Sequence, residues 1–203
     1  MRKRIGIACL FLGAICLISA VGLILYNRLE DMSAKNSAHA LLEDVKETIK
    51  EETGKQPLPS DTKMETVEAS GNECIGVISI PALKLELPVL TDWSYSKLKK
   101  APCHYYGSCY EKDFVIAAHN YKSHFGRLSQ LQAGDVIVFT DVNGTDHFYK
   151  VVLSETLPKE ATREMITSGF DLSLYTCTPG GASRVTVRCS SVNDKNIAET
   201  SRM

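Results

Sequence analysis

Hydrophobic and polar positions change their rhythm three times along the chain. Residues 5–26 (IGIACLFLGAICLISAVGLILY) carry no charge, over a length that crosses the ~30 Å hydrocarbon core of a bilayer as a helix. Across residues 28–52, Leu29, Met32, Ala38, Leu41, Leu42, Val45 and Ile49 recur at helical spacing with charge between them, which predicts an amphipathic helix. Gly54, Pro57 and Pro59 end that pattern, and residues 53–72 are polar and turn-rich, the composition of a flexible spacer. Helix and spacer together read as a stalk. Beyond Asn72 short β-type runs alternate with turns. The predicted strands are 74–80, 85–90, 113–118, 135–141, 147–157, 173–178 and 183–191, and only 95–100 and 160–168 look helical. Asn143-Gly144 predicts a hairpin with a type I′ turn, which also accounts for the glycosylation-like Asn143-Gly-Thr145. The fold class expected is mostly β: a closed or nearly closed, mostly antiparallel barrel of about seven to eight strands with short helices.

Flanking charge orients the apolar run. Met1 to Arg4 (MRKR) is basic, and basic flanks stay cytoplasmic. The run exceeds the roughly 7–15 residues of a signal-peptide core, and its one small-residue cleavage-like stretch, Leu17 to Ala20, lies inside it. The expected organisation is a cytoplasmic tail over 1–4, a retained single-pass membrane anchor over 5–26, a stalk helix and linker over 27–72, and an extracellular domain over 73–203. Outside the tail there are 20 basic against 24 acidic residues. With no basic stripe, nucleic acid is not an expected partner.

Seven cysteines are present. Cys9 and Cys16 fall in the apolar run, which leaves Cys74, Cys103, Cys109, Cys177 and Cys189 outside. An odd number in an oxidising compartment leaves at least one thiol free or paired with another chain. Cys103 and Cys109 flank a turn and are close enough in sequence to bridge, while C-H-x₄-C matches no common zinc spacing. No metal or cofactor is expected.

Cys177 ends a β-branched, apolar run and precedes a Pro-Gly-Gly turn. If the TPGGAS loop closes a hairpin with Cys177 opposite Arg184, then Tyr175 faces Thr186 and Ser173 faces Arg188 on one side, with Leu172, Leu174, Val185 and Val187 turned to the core. Arg184 then stands beside the sulfur, and Arg188 lies ~13 Å along the strand on an outer, solvated face. In another register Arg188 takes its place. A guanidinium beside a thiol favours the thiolate and offers a fork of donors to an oxyanion. The missing proton carrier is a histidine. His39 is on the stalk and His147 beside a hairpin tip. Of His104, His119 and His124, His119 stands where the strand FVIAA leaves the core, followed by Asn120.

The stretches AAHN, FGRLSQLQAGD and LYTCTPGGASR, with the opening IGVISIPALKLELPVL, resemble the sortases, membrane-anchored cysteine transpeptidases of Gram-positive bacteria; the likeness runs over roughly 73–192. The resemblance implies His119, Cys177 and Arg184 as catalytic residues and Thr176 and Asn120 as substrate-binding ones. It implies a thioester acyl-enzyme formed on an LPxTG-like signal, with transfer to an amine of a peptidoglycan precursor or a pilin. Partners would be secreted proteins bearing a C-terminal sorting signal. The stalk helix and the AAHN-to-FGRL stretch suggest a class B-like enzyme, although residues 154–171 are too short for the long helix of that class. The alternatives are a non-enzymatic binding module or a cysteine peptidase that only hydrolyses. Papain-like proteases place cysteine before histidine, and the Ser-His-Gly-Cys run of L,D-transpeptidases is absent.

Overall fold

The computed structural model describes residues 2–52 and 64–193. Helix α1 runs unbroken over Arg2–Glu52, because neither glycine nor proline follows Gly22 before Gly54 and nothing else stops a helix as strongly. It is the one helix among the described residues long and apolar enough to cross a membrane. Its first half leaves Leu10, Phe11, Ile18 and Leu25 exposed, whereas Ala34, Ala38, Leu41, Leu42, Val45 and Ile49 are buried. These small and branched side chains pack on the outside of the strands that follow. The segment expected to be a stalk is therefore docked on the domain. Lys46 pairs with Glu86 at 2.7 Å, and Asp44 accepts bonds from the amide and hydroxyl of Ser70 at 2.7 and 2.9 Å.

The strands are β1 (Val67–Ala69), β2 (Asn72–Ile80), β3 (Leu85–Leu90), β4 (Cys103–Tyr106), β5 (Phe114–Ala117), β6 (Val136–Asp141), β7 (Asp146–Pro158), β8 (Leu172–Cys177) and β9 (Ser183–Ser191), with short helices α2 (Tyr95–Leu98) and α3 (Thr162–Ile166). Eight of them close in the order β2-β3-β4-β5-β8-β9-β7-β6, with β6 returning to β2 and β1 appended at the edge of β2. Most neighbours are antiparallel; β3 with β4 and β5 with β8 are parallel. Closure needs Gly76, at φ +149° beside a bulge in β2, since a Cβ there would collide with the Thr140 carbonyl. Sheet closure removes the exposed edges that an open sheet would present.

Two strands, β1 and β4, are additions to the expected set. β1 falls inside the expected spacer, whose residues 53–63 lie outside the described residues. The Asn143-Gly144 hairpin has a different turn. Gly144 N–H bonds to the Asp141 carbonyl at 3.0 Å, so Val142 and Asn143 are the central residues and only Gly144 takes a positive φ, +80°. That is a type I turn closed by a left-handed glycine.

The barrel holds two cores. Phe114, Ile116, Phe139, Ile137, Leu172, Leu174 and Val187 fill its interior. Tyr175, Ala117, Val115 and Met165 belong to a second cluster on the outer wall, which also takes in Leu41, Leu42, Val45 and Ile49 of α1. Cys103 and Cys109, close enough in sequence to bridge, sit one in each core and are free thiols.

Candidate active site

The β8–β9 hairpin has the expected register: Cys177 opposes Arg184, Tyr175 opposes Thr186 and Ser173 opposes Arg188. Its turn is closed by the Thr178 amide on the Ser183 carbonyl, 3.0 Å, and the Gly181 amide on the Thr178 carbonyl, 2.8 Å. Gly180 and Gly181 both lie at positive φ, +82° and +74°, where other residues would be strained. The hairpin thus delivers Cys177 and Arg184 to the rim as a cross-strand pair, with Cβ atoms about 4.5–5.5 Å apart.

On its other side β8 runs parallel to β5, with Ala117 level with Tyr175. The pairing continues past the ladder: the Ala118 amide donates to the Tyr175 carbonyl at 3.1 Å. Carried two residues past the last pair, the same register sets His119 level with Cys177 on the same face. Thr176, expected to touch substrate, is buried, and its hydroxyl donates to the Ala118 carbonyl at 2.9 Å. Its side chain rivets the two strand ends that carry His119 and Cys177.

His119 is half-buried. The Asn120 amide nitrogen lies 3.2 Å from its Nδ1. Asn120 Oδ1 lies 3.2 Å from the same Nδ1 and accepts from it whenever Nδ1 carries a proton, which leaves Nε2 to give or take one. Arg184 donates through Nη1 to the carbonyls of Gly181 and Ser183, 3.0 and 3.1 Å. Its Nε and Nη2 bond to nothing among the described residues, so half of the donor fork is available. Four other cysteines, Cys74, Cys103, Cys109 and Cys189, are buried, and burial pushes each thiol up to about 12. Cys177 alone among the cysteines outside the apolar run reaches the surface.

The remaining histidines are engaged elsewhere. His104 lies against the carbonyls of Thr91 and Gly107, 3.1 and 2.8 Å, and exposed His39 faces Glu43 across one turn of α1. His124 is fully buried. Burial holds its ring down to about 4.

Arg188 is not the solvated arginine expected. It is 2% exposed, donates to Glu155 and Ser173 at 2.8 Å each and to the Glu164 carbonyl at 2.8 Å, and lies over the Phe170 ring. The loop carrying α3 covers this face of the hairpin, and Arg188 ties the loop down. Beside it opens a cleft of about 170 Å³ bounded by Trp93, Tyr95, Tyr105, Tyr175, Met165 and Arg184. The aromatics pack edge to face, Tyr105 on Tyr175 at 5.3 Å and Trp93 on Tyr105 at 6.2 Å. Sequence reasoning did not find this cleft, because its walls come from five separate segments.

One further group has metal-binding side chains. Atoms of Cys109, Asp141 and His147 lie within 4.8 Å of one another at the far side of the barrel. Asp141 already accepts from the amides of Asn143 and Thr145 through Oδ1 and from Tyr110 through Oδ2, with His147 Nε2 at 3.1 Å. Burial would raise its carboxyl, but these partners, His147 foremost, outweigh it and hold the carboxyl below its usual range. The carboxylate serves as the cap of the β6–β7 turn.

The sortase domain model matches residues 78–192 of this chain. The chain belongs to the sortase family. No curated protein matches the sequence. Among solved structures, sortase C from Clostridium perfringens is similar at 20% identity and TM-score 0.54, covering 83% of this chain and 96% of that one. A Clostridium perfringens sortase C with the C-terminal cell wall sorting motif aligns at 22% and 0.53, over 75% and 89%. Sortase C1 from Streptococcus agalactiae aligns at 25% and 0.55, over 76% and 89%. These are sortases C, whereas the sequence suggested a class B-like enzyme; identities of this size support the fold and leave the class of this sortase open.

Proposed function

We propose that this sortase cleaves an LPxTG-like sorting signal and transfers the product to an amine. The carrying observation is the juxtaposition at one rim of a surface thiol, a histidine level with it on the parallel neighbour, and an arginine opposite it with free donors. Cys177 gives its thiol proton to His119 and attacks the scissile carbonyl carbon through Sγ; the carbonyl oxygen becomes an oxyanion, which the free Nε and Nη2 of Arg184 face. Collapse breaks the C–N bond, and His119 protonates the departing amine, leaving a thioester on Cys177. An incoming amine attacks the thioester, gives its proton to His119, and releases the thiolate. Water in place of the amine gives hydrolysis. Asn120 steadies the His119 ring in both protonation states, and Thr176 fixes the spacing between the two strand ends. The aromatic cleft beside Arg184 supplies apolar walls for the residues preceding the scissile bond.

The donors are secreted proteins with a C-terminal sorting signal, and the acceptor is an amine of a peptidoglycan precursor or a pilin. The apolar half of α1 anchors the enzyme with its N-terminus cytoplasmic and the barrel outside. Mass spectrometry of the full chain incubated with candidate signal peptides is the test. A peptide fragment bound to Cys177, and released by hydroxylamine, is the expected result; no adduct with any sorting peptide, on a thiol shown to be reduced, overturns the reading.

A further inference from the structure

We propose that the turn of α1 immediately after the apolar run orients the catalytic histidine, with Glu30 and Tyr121 as positioning residues. This rests on the role given to His119 above. The loop that follows His119 is folded tightly upon itself: the amides of His124 and Gly126 both bond to the Tyr121 carbonyl, at 3.0 and 2.8 Å, and the Phe125 amide bonds to the His119 carbonyl at 3.2 Å. A Cβ on Gly126 would strike the carbonyls of Asn120 and Tyr121. Phe125 and His124 are completely buried. This geometry projects the Tyr121 ring flat against His119, with centroids 4.2 Å apart and planes 9° from parallel.

The far end of that ring is held by α1. The Tyr121 hydroxyl donates to Glu30 Oε2 at 2.7 Å, while Oε1 accepts from the Tyr26 hydroxyl at 2.9 Å and Lys99 Nζ at 3.3 Å. These donors, Tyr121 foremost, hold the Glu30 carboxyl down to about 2, so the acceptor is ionised at any working pH and the bond is of the stronger, charge-assisted kind. One residue on, Asp31 Oδ1 accepts the Ser123 amide at 3.0 Å and the Ser123 hydroxyl at 2.7 Å. Helix and loop are thus joined on both sides of the stacked ring.

A stacked imidazole has two soft motions, rotation about its χ angles and sliding over its neighbour. A phenol fixed at its hydroxyl end limits both. The Glu30–Tyr121 bond is the contact by which the helix reaches the stacked ring itself. Small errors in the direction of a proton donor cost rate out of proportion to their size.

The test uses the full chain in nanodiscs, with a sorting peptide as substrate and histidine-labelled protein for NMR. Glu30→Ala and Tyr121→Phe should each lower kcat about tenfold with KM unchanged. The double variant should fall no further than either single one, because both break the same bond. Glu30→Gln, which keeps an acceptor oxygen, should recover much of the loss. Independently of turnover, the His119 ring protons should lose part of their upfield ring-current shift in Glu30→Ala while melting temperature holds. A kcat within twofold of the parent in both single variants, additive losses, or an unchanged His119 signature would each overturn the proposal. Because the spectrum needs no substrate, a parent enzyme that cleaves no sorting peptide would sink the proposed activity and still leave the coupling measured.

Discussion

Two places on this barrel bring a cysteine and a histidine together, and they differ in everything except residue type. On the far side, Cys109 is buried with its thiol pushed up to about 12, and His147 faces an Asp141 whose two oxygens are both bonded to protein. At the rim, Cys177 reaches the surface at the end of β8, His119 leans on a neighbour through Nδ1 and keeps Nε2 clear, and Arg184 has donors to spare. The first cluster is saturated and holds a turn together. Chemistry requires the opposite condition: groups positioned by the fold whose reactive atoms have no internal partner.

The largest contrast should come from the sulfurs themselves. Cys177→Ala is expected to abolish peptide cleavage and leave the melting temperature near that of the parent, whereas Cys109→Ala should retain turnover and lose stability through the cavity it opens, about 1–2 kcal/mol. Activity assays beside thermal melts on both variants decide it; persistent turnover in Cys177→Ala would remove the nucleophile assigned here.

The next contrast lies along one strand. Arg184→Lys keeps the charge and loses the planar fork, so kcat should fall by roughly 10²–10³. Arg188→Lys leaves Ser173, Glu155 and the loop carbonyls short of donors. Stability should drop by about 2 kcal/mol, or about 4–8 °C in melting temperature. A large fall in kcat in Arg188→Lys without a change in melting temperature would show that the buried arginine also contributes to the chemistry.

The rim pairing was legible because it is local. A six-residue loop with two adjacent glycines fixes one register, and the alternation of Leu172, Leu174, Val185 and Val187 fixes which side faces in. The position of His119 was legible as a strand end, but the partner it leans on was not: Tyr121 is two residues away, and its stacking depends on a carboxylate 91 positions earlier in the chain. Arg188 was misjudged for a related reason. Strand alternation says which residues leave the interior, not whether a loop such as the one carrying α3 then covers them. β4 escaped because CHYY has no clear alternation and joins β3 through one bridge, Leu90 with Cys103. A helix pattern with one apolar stripe does not name the surface the stripe packs against, which here is the outer wall of the same domain.

A milder probe of the comparison is thiol access. In the folded chain in detergent, one equivalent of a maleimide reagent should add to Cys177 well before Cys74, Cys103, Cys109 or Cys189, whose thiols are buried and protonated. Peptide mapping identifies the sites, with Cys9 and Cys16 scored separately because they are exposed in the apolar half of α1. Modification of Cys109 at a comparable rate would mean the far cluster is open.

The smallest effect concerns a histidine that belongs to the rim loop but not to its chemistry. His124 is fully buried, and burial, against a weaker opposing pull from the Ala34 backbone, holds its pKa down to about 4 against an ordinary value near 6.5. Between those values the unfolded chain binds a proton that the folded chain refuses, so stability rises with pH through that window. The contribution is complete above about pH 6.5 and is lost as pH falls toward 4. Discounted for relaxation of the loop, the loss between pH 7 and pH 5 should be about 1 kcal/mol, or about 2–4 °C in melting temperature. His124→Gln is neutral at every pH and should flatten that part of the curve, with a lower melting temperature at pH 7 if the buried amide lacks partners. An equal slope in parent and variant would mean that the ring takes up its proton without opening the loop.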